Sequence, residues 1–333
     1  MIQVLHLKKI YGNKTAVDDL SFNVEKNQIY GFLGPNGAGK STTMNIITGC
    51  LSATEGTVSI DGYDIFEEPF KAKSLIGYLP EQPPLYMDMT VKEYLSFVAE
   101  AKKIKRVSIP SAVDSVMKKT SLLNVQNRLI KNLSKGYKQR VGIAGAILGN
   151  PPVVILDEPT VGLDPKQIIE IRSLIRSLKE NHTVILSSHI LAEVNEVCDR
   201  ILIISGGKLI ADDTPENLTS KLANGSELNV SVRADINTVK SVMDDLQNNV
   251  SSRPLAVTFK STDEISSFTI PFHDEDNTLK GHDIRDDIFN AFSKKNISIL
   301  EMSLKKATLE QVFLELTSAS GEEWEVITDE SHF

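Results

Sequence analysis

An α/β fold built around a phosphate loop, followed by a smaller α+β module, is what this 333-residue chain predicts. Three observations carry that expectation. The apolar run Ile29-Tyr30-Gly31-Phe32-Leu33 leads directly into Gly34 to Thr42, GPNGAGKST, a complete G-x-x-x-x-G-K-[ST] loop. A second apolar run, Val153-Val154-Ile155-Leu156, ends on Asp157 and Glu158. Beyond Gly225 the hydrophobic period switches between two and 3.6 in the order β-α-β-β-α-β.

The loop needs these residue types. Gly34, Gly37 and Gly39, spaced by Pro35, Asn36 and Ala38, let backbone N–H groups close around phosphates with few Cβ atoms in the way. Lys40 supplies a cation for the β- and γ-phosphates, Ser41 a hydroxyl for Mg²⁺, and Thr42 continues the first turn. The helix that starts here, with Met44, Ile46 and Ile47 apolar, aims its positive end at the same anion. An acid pair at the end of a buried strand is costly unless it is used. Asp157 is assigned to Mg²⁺ and Glu158 to the water that attacks the γ-phosphate.

The remaining elements follow in chain order. Alternation in Gln3 to Leu7 and in Leu20 to Val24 predicts antiparallel strands, and Glu55 to Gly62 a further strand closed by an Asp-Gly turn. From Thr90 to Gly149 the spacing becomes helical, with Val91, Tyr94, Leu95 and Val98 on one face and Pro110 placed to start another helix. Ser134 is an N-cap for the helix that carries Val141, Ile143, Ala144, Ile147 and Leu148. Strands ending at Leu156 and Ser188, with a helix from Lys166 to Lys179 between them, restore the alternation of a parallel sheet. Arg200 to Ile204 and Lys208 to Ile210 flank a Gly206-Gly207 turn.

Several segments together resemble the ATPases of the ABC type. Leu133-Ser134-Lys135-Gly136-Tyr137 resembles that family's LSGGQ signature, with Lys135 and Tyr137 where the family has a glycine and the glutamine. Gln82, in Leu79-Pro80-Glu81-Gln82, matches the Q-loop; His189 matches the switch histidine; Asp164, in Val161-Gly162-Leu163-Asp164-Pro165, matches the D-loop; Tyr11 stands where the family stacks an aromatic on adenine. The motifs occur in the family's order over roughly residues 2 to 220. The resemblance implies an ABC-type P-loop fold over 1–222, with an antiparallel β subdomain and a helical arm at about 90–149. It also implies ATP and Mg²⁺ as cofactors, hydrolysis by Glu158 with His189 and Gln82, and Gln82 beside Ser41 and Asp157 at the metal. Two such subunits would pair head-to-tail, so that Ser134 and Gly136 reach the nucleotide of the partner.

Residues 226–317 resemble the extension carried by some ABC export ATPases. The expected module is ferredoxin-like, with strands through Leu228, Val230 and Val232, through Leu255, Val257 and Phe259, through Phe268, Ile270 and Phe272, and through Leu300, Met302 and Leu304. Its helices carry Ile236, Val239, Met243 and Leu246, and then Ile284, Ile288 and Phe292. An acidic tail, 318–333, holds Trp324.

Composition agrees with a soluble globular protein of more than one domain, at 41% hydrophobic and 24% charged residues. A net charge of −8 argues against nonspecific binding to nucleic acid. Cys50 and Cys198 show no metal spacing and are expected to be reduced and packed. No apolar segment is long enough to cross a bilayer, so a channel is expected on separate permease chains, docked near Gln82 and Leu85-Tyr86-Met87 at the cytoplasmic face of the membrane. Export is the favoured direction, and an importer ATPase is the alternative. A chromosome-acting ABC ATPase would need coiled-coil insertions, a ribosome-acting one usually has two cassettes, and a GTPase would need Asn-Lys-x-Asp, where this chain has Asn13-Lys14-Thr15-Ala16.

Overall fold

The computed structural model describes residues 1–221, 226–250, 257–262, 265–272, 278–279, 282–306 and 308–318. The Asn224-Gly225 break, Leu255 and the tail beyond Ser318, with Trp324, lie outside the described residues. Packing divides the chain into one unit of Met1–Pro215 joined by the segment from Phe313, and a second of Glu216–Val312.

Alternation of buried and exposed residues sets the first sheet. β1 (Ile2–Tyr11) pairs antiparallel with β2 (Lys14–Val24), burying Ile2, Val4 and Leu7. β3 (Ile29–Leu33) is buried along its whole length and runs through the phosphate loop into α1 (Lys40–Ile47). β4 (Glu55–Ile60) turns at Asp61-Gly62 into β5 (Tyr63–Asp64), giving an antiparallel sheet ordered β2-β1-β4-β5.

Two short elements then appear where the sequence showed none. They are α2 (Pro69–Ser74) and β6 (Ile76–Leu79), the latter only four residues long. The arm follows as α3 (Val91–Ala101), α4 (Ile109–Lys119) and α5 (Lys135–Ile147). Thr90 starts α3 with a full capping box, its hydroxyl accepting from the Glu93 N–H while the Glu93 carboxylate accepts from the Thr90 N–H at 2.8 Å. Next come β7 (Val153–Asp157), α6 (Pro165–Leu178), β8 (Thr183–Ser188), α7 (Leu191–Val197), β9 (Arg200–Ser205), β10 (Lys208–Asp213) and α8 (Pro215–Lys221). The second sheet is ordered β10-β9-β3-β8-β7-β6 and is parallel except for β10.

One continuous core joins the two sheets. Val4, Leu20, Phe22 and Val58 come from the antiparallel sheet, Tyr30, Phe32, Ile155 and Ile185 from the parallel one, and Met44, Ile46 and Ile47 of α1 complete the cluster. The helix that leaves the phosphate loop is therefore fixed by apolar contacts with both layers. On the opposite face of β3, Gly31 lies against α7. Cys198 is buried there as expected, whereas Cys50 is exposed, because it sits in the turn that ends α1 rather than on a helix face.

The second unit contains β11 (Ser226–Val232), α9 (Ile236–Val250), β12 (Thr258–Thr262), β13 (Ile265–Phe272), a two-residue hairpin of β14 (Thr278–Leu279) and β15 (His282–Asp283), α10 (Ile284–Lys294) and β16 (Ile299–Lys306). α11 (Leu309–Ser318) ends the described chain. Its sheet is antiparallel throughout, in the order β12-β13-β11-β16. Leu228, Val230, Val232, Phe268 and Ile270 pack under Val239, Met243, Ile288 and Phe292, with the rings of Phe268 and Phe292 stacked at 5.6 Å.

The close approach at Gly31 gives a stability prediction. A Cβ there would lie 2.3 Å from Val194 Cγ1 and 2.9 Å from Cys198 Sγ. Gly31→Ala is expected to cost about 1–3 kcal/mol by overpacking and to lower the unfolding midpoint by roughly 2–4 °C for each of these. Thermal unfolding of the variant beside the parent checks this, and an unchanged midpoint would show that α7 shifts freely.

Candidate nucleotide site

Parallel register brings the chemistry-bearing residues to one edge. Leu33 pairs with Ser188, Asp157 with Ser187, and Leu79 with Leu156, so β3, β8, β7 and β6 all end at the same level. Their exits are the phosphate loop, His189, Glu158 and the Gln82 loop. The carboxyl edge of a parallel sheet is where such folds bind ligands.

The phosphate loop is shaped as a cradle. Gly39, the N-cap of α1, holds φ at 101°, in the left-handed region, and a Cβ there would lie 2.4 Å from the Ala16 carbonyl oxygen. No side chain caps α1 and no acid occupies its first turn, so its leading N–H groups are available to an anion. Lys40 is only 7% exposed, and its ammonium donates to the carbonyls of Gly34 at 2.6 Å and Pro35 at 3.0 Å. Burial pushes the Lys40 ammonium below its ordinary pKa, and the charges of Glu158 and Asp157 partly restore it. A bound phosphate would restore it further.

The two carboxylates are placed differently. Asp157 ends β7 in the interior, and the Ser187 hydroxyl donates to its Oδ1. The same Ser187 oxygen accepts from the Glu158 N–H at 3.1 Å. Glu158 then turns with φ of 48°, and its Oε2 accepts from His189 Nδ1 at 2.9 Å. Burial pushes the Glu158 carboxyl up, while the hydrogen bond and charge of the His189 ring oppose that. A carboxylate raised in this way is a better proton acceptor near neutral pH. Among the described residues no three His, Cys, Asp or Glu side chains gather into a metal cage. Ser41 and Asp157 fit the sparse protein share of a Mg²⁺ site, in which phosphate oxygens and waters complete the shell.

Tyr11 is 47% exposed at the tip of the β1–β2 hairpin, where Lys9 Nζ lies 5.2 Å from its ring, and Ala16 of the same hairpin borders Gly39. Gln82 is exposed in the loop after β6. Ser134 and Asp164 cap α5 and α6, accepting from the Tyr137 and Gln167 N–H groups at 3.4 and 2.9 Å. Together with Gly136 they line an open cavity of about 940 Å³ whose walls include none of Gly34 to Thr42, Asp157, Glu158 or His189. Within one chain the structure therefore assembles the phosphate loop, Asp157, Glu158 and His189, and gathers Ser134, Gly136 and Asp164 elsewhere.

Sequence reasoning passed over Ser187, Ser188 and Thr160. Each is at most 3% exposed, and a pair of serines closing the apolar run Thr183 to Leu186 was the available signal. Tyr137, the departure from LSGGQ, uses its hydroxyl to accept from Asn124 Nδ2 at 3.1 Å, tying the signature segment to the arm.

Comparison with known proteins agrees with this geometry. The family profile for the ABC transporter matches residues 17–161. The linearmycin resistance ATP-binding protein LnrL of Bacillus subtilis is 37% identical over 233 residues, 70% of this chain and 75% of that protein. The bacitracin transport ATP-binding protein BcrA of Bacillus licheniformis is 41% identical over 214 residues, 64% of this chain and 69% of that protein. The dimeric post-hydrolysis structure of the ATP-binding cassette MJ0796, bound to ADP and Pi, superposes with a TM-score of 0.59 at 26% identity, covering 64% of this chain and 98% of that one. The chain belongs to the ABC transporter family, as one of its ATP-binding, ATP-hydrolysing subunits.

Proposed function

We propose that the chain powers export as one of two ATPase subunits paired head-to-tail beneath separate membrane-spanning chains, at the cytoplasmic face of the membrane. The observation that carries the reading is the division of the site. The phosphate loop, Asp157 and the Glu158–His189 pair converge at one sheet edge, while Ser134, Gly136 and Asp164 line a different cavity. A second copy, turned head-to-tail, is the simplest way to bring both halves onto one nucleotide. The dimeric MJ0796 cassette supports this, and the resistance and transport roles named for LnrL and BcrA support export.

In this reading Lys40 and the α1 N-terminus bind the β- and γ-phosphates, and Tyr11 packs on the base. Mg²⁺, when bound, draws charge from the phosphates, and Ser41, Asp157 and Gln82 would hold it. Glu158 orients the attacking water and accepts its proton. His189 holds that carboxylate through Nδ1 and leaves its other ring nitrogen for the γ-phosphate. Ser134 and the α5 N-terminus oppose the charge on the partner's nucleotide. The permease docks near Gln82 and Leu85–Met87, where Tyr86, 53% exposed, packs edge-on against Phe97 and Met87 is 45% exposed.

The cassette occupies about residues 1–222, and 226–317 form a ferredoxin-like accessory module. The βαββαβ succession of β11, α9, β12, β13, α10 and β16, with the antiparallel order β12-β13-β11-β16, supports that assignment. Among its described residues no three His, Cys, Asp or Glu side chains gather into a metal cage, which favours docking or regulation.

Lys40→Ala is expected to lower ATP affinity by about 10- to 100-fold, the loss of a charge-assisted contact. Glu158→Gln is expected to keep ATP affinity and lose about 100-fold or more in turnover. Nucleotide binding and steady-state hydrolysis on both variants separate the roles, and near-normal turnover in Glu158→Gln would remove the water-positioning assignment. Mixing tests the split site. Ser134→Arg and Lys40→Ala chains are each expected to be inactive alone, and a mixed dimer is expected to recover one intact composite site and measurable hydrolysis. Purified mixed dimers that remain silent beside active wild-type dimers would count against the arrangement in trans.

A further inference from the structure

Beneath the site lies a carboxylate that no step above uses. Glu193, in the first turn of α7, is 2% exposed. Its Oε2 accepts from Thr160 Oγ1 at 2.5 Å and from Ser188 Oγ at 3.3 Å, and Ser188 Oγ in turn accepts from the Ile190 N–H at 3.0 Å. Its Oε1 has no hydrogen-bond partner among the described residues, and its ion-pair contact, Arg172 Nη2, stands off at 3.7 Å. Arg172 is itself engaged by Glu196 at 2.5 Å, and the Arg172 Nε is likewise without a partner. A buried carboxylate that is loosely paired and half satisfied is poor as a stabilising device. Its hydrogen bonds go to two hydroxyls instead.

Those hydroxyls sit at telling positions. Thr160 follows Glu158 by two residues, and Ser188 immediately precedes His189. One oxygen of Glu193 thus joins the two loops whose ends meet in the 2.9 Å bond between His189 and Glu158. We propose that Glu193 is a positioning residue for ATP hydrolysis, holding the Glu158 and His189 loops in register from below. It touches neither nucleotide nor water, and acts through Thr160 and Ser188. The inference rests on the assignment of hydrolysis to Glu158 and His189.

The test uses the full chain and measures kcat, KM for ATP, nucleotide affinity and thermal unfolding. Glu193→Ala is expected to lower kcat by about 10- to 100-fold, as a misplacement of the order of an ångström does, with KM and affinity within roughly threefold of the parent. Glu193→Gln should recover most of the loss, because an amide carbonyl accepts from the same two hydroxyls. Combining Glu193→Ala with His189→Ala should slow hydrolysis no more than about threefold beyond the slower single variant, since both break one unit. Parent-like kcat in Glu193→Ala, or losses that multiply in the double variant, would overturn the proposal. If Glu193→Ala does not fold, Thr160→Val removes one hydroxyl at constant shape, and a folded Thr160→Val with parent kcat overturns it equally. If His189→Ala and Glu158→Gln both hydrolyse normally, the underlying assignment fails and takes this inference with it. Slow His189→Ala beside fast Glu193→Ala overturns this inference alone.

Discussion

Everything at the site depends on the register of four parallel strands. Because β3, β8, β7 and β6 stop together, residues as far apart in sequence as Lys40, Gln82, Asp157 and His189 leave the sheet at one edge. A slip of one residue would exchange the side chains that face the antiparallel sheet with those that face the helices, so the apolar packing that fixes the fold also fixes the site. Tyr30 and Phe32 lock β3 against the antiparallel sheet, while Gly31, on the other face, lets α7 approach closely. The catalytic edge inherits its precision from interior residues that never meet a nucleotide.

Just inside that edge the sheet changes character from apolar to hydroxyl-bearing. Ser187 serves both members of the acid pair, donating to the Asp157 side chain and accepting from the Glu158 backbone. Ser188 and Thr160 meet Glu193 one step away. Small hydroxyl side chains suit this layer because each can donate and accept at once within the space of a buried strand. The layer allows an acid to end an interior strand without being left unsatisfied, and it leaves Glu158 free to turn toward His189.

Much of this was legible in the sequence, and what was missed shares a physical cause. The phosphate loop and the Asp157-Glu158 pair are contiguous, so their chemistry can be read along the chain. Long periodic segments such as those of α3 and α10 declare their faces. β6 is too short for a period to show, and α2 offers a single buried residue, Ala72. The partnership of Thr160 with Glu193 spans 33 positions and exists only once strands and helices have been brought together. Cys50 shows the converse: its residue type suggested burial, but its place in a turn decided otherwise. Gaps of this kind arise wherever a residue's role is set by a neighbour distant in sequence.

The signature glycine illustrates how one position can answer to two masters. A Cβ on Gly136 would lie 2.6 Å from the Gln167 side-chain oxygen of its own chain, and Lys135 Nζ rests against Gly162 in the D-loop. A side chain at Gly136 would thus have to displace the Gln167 carboxamide at the start of α6, quite apart from any nucleotide brought up by a partner. Substituting Gly136 would move Gln167, whose N–H donates to the Asp164 cap of α6, so the resulting phenotype would mix a local rearrangement with a lost contact across the dimer. Ser134, which is exposed and caps its helix without such a neighbour in the way, is the cleaner place from which to interrogate communication between two subunits.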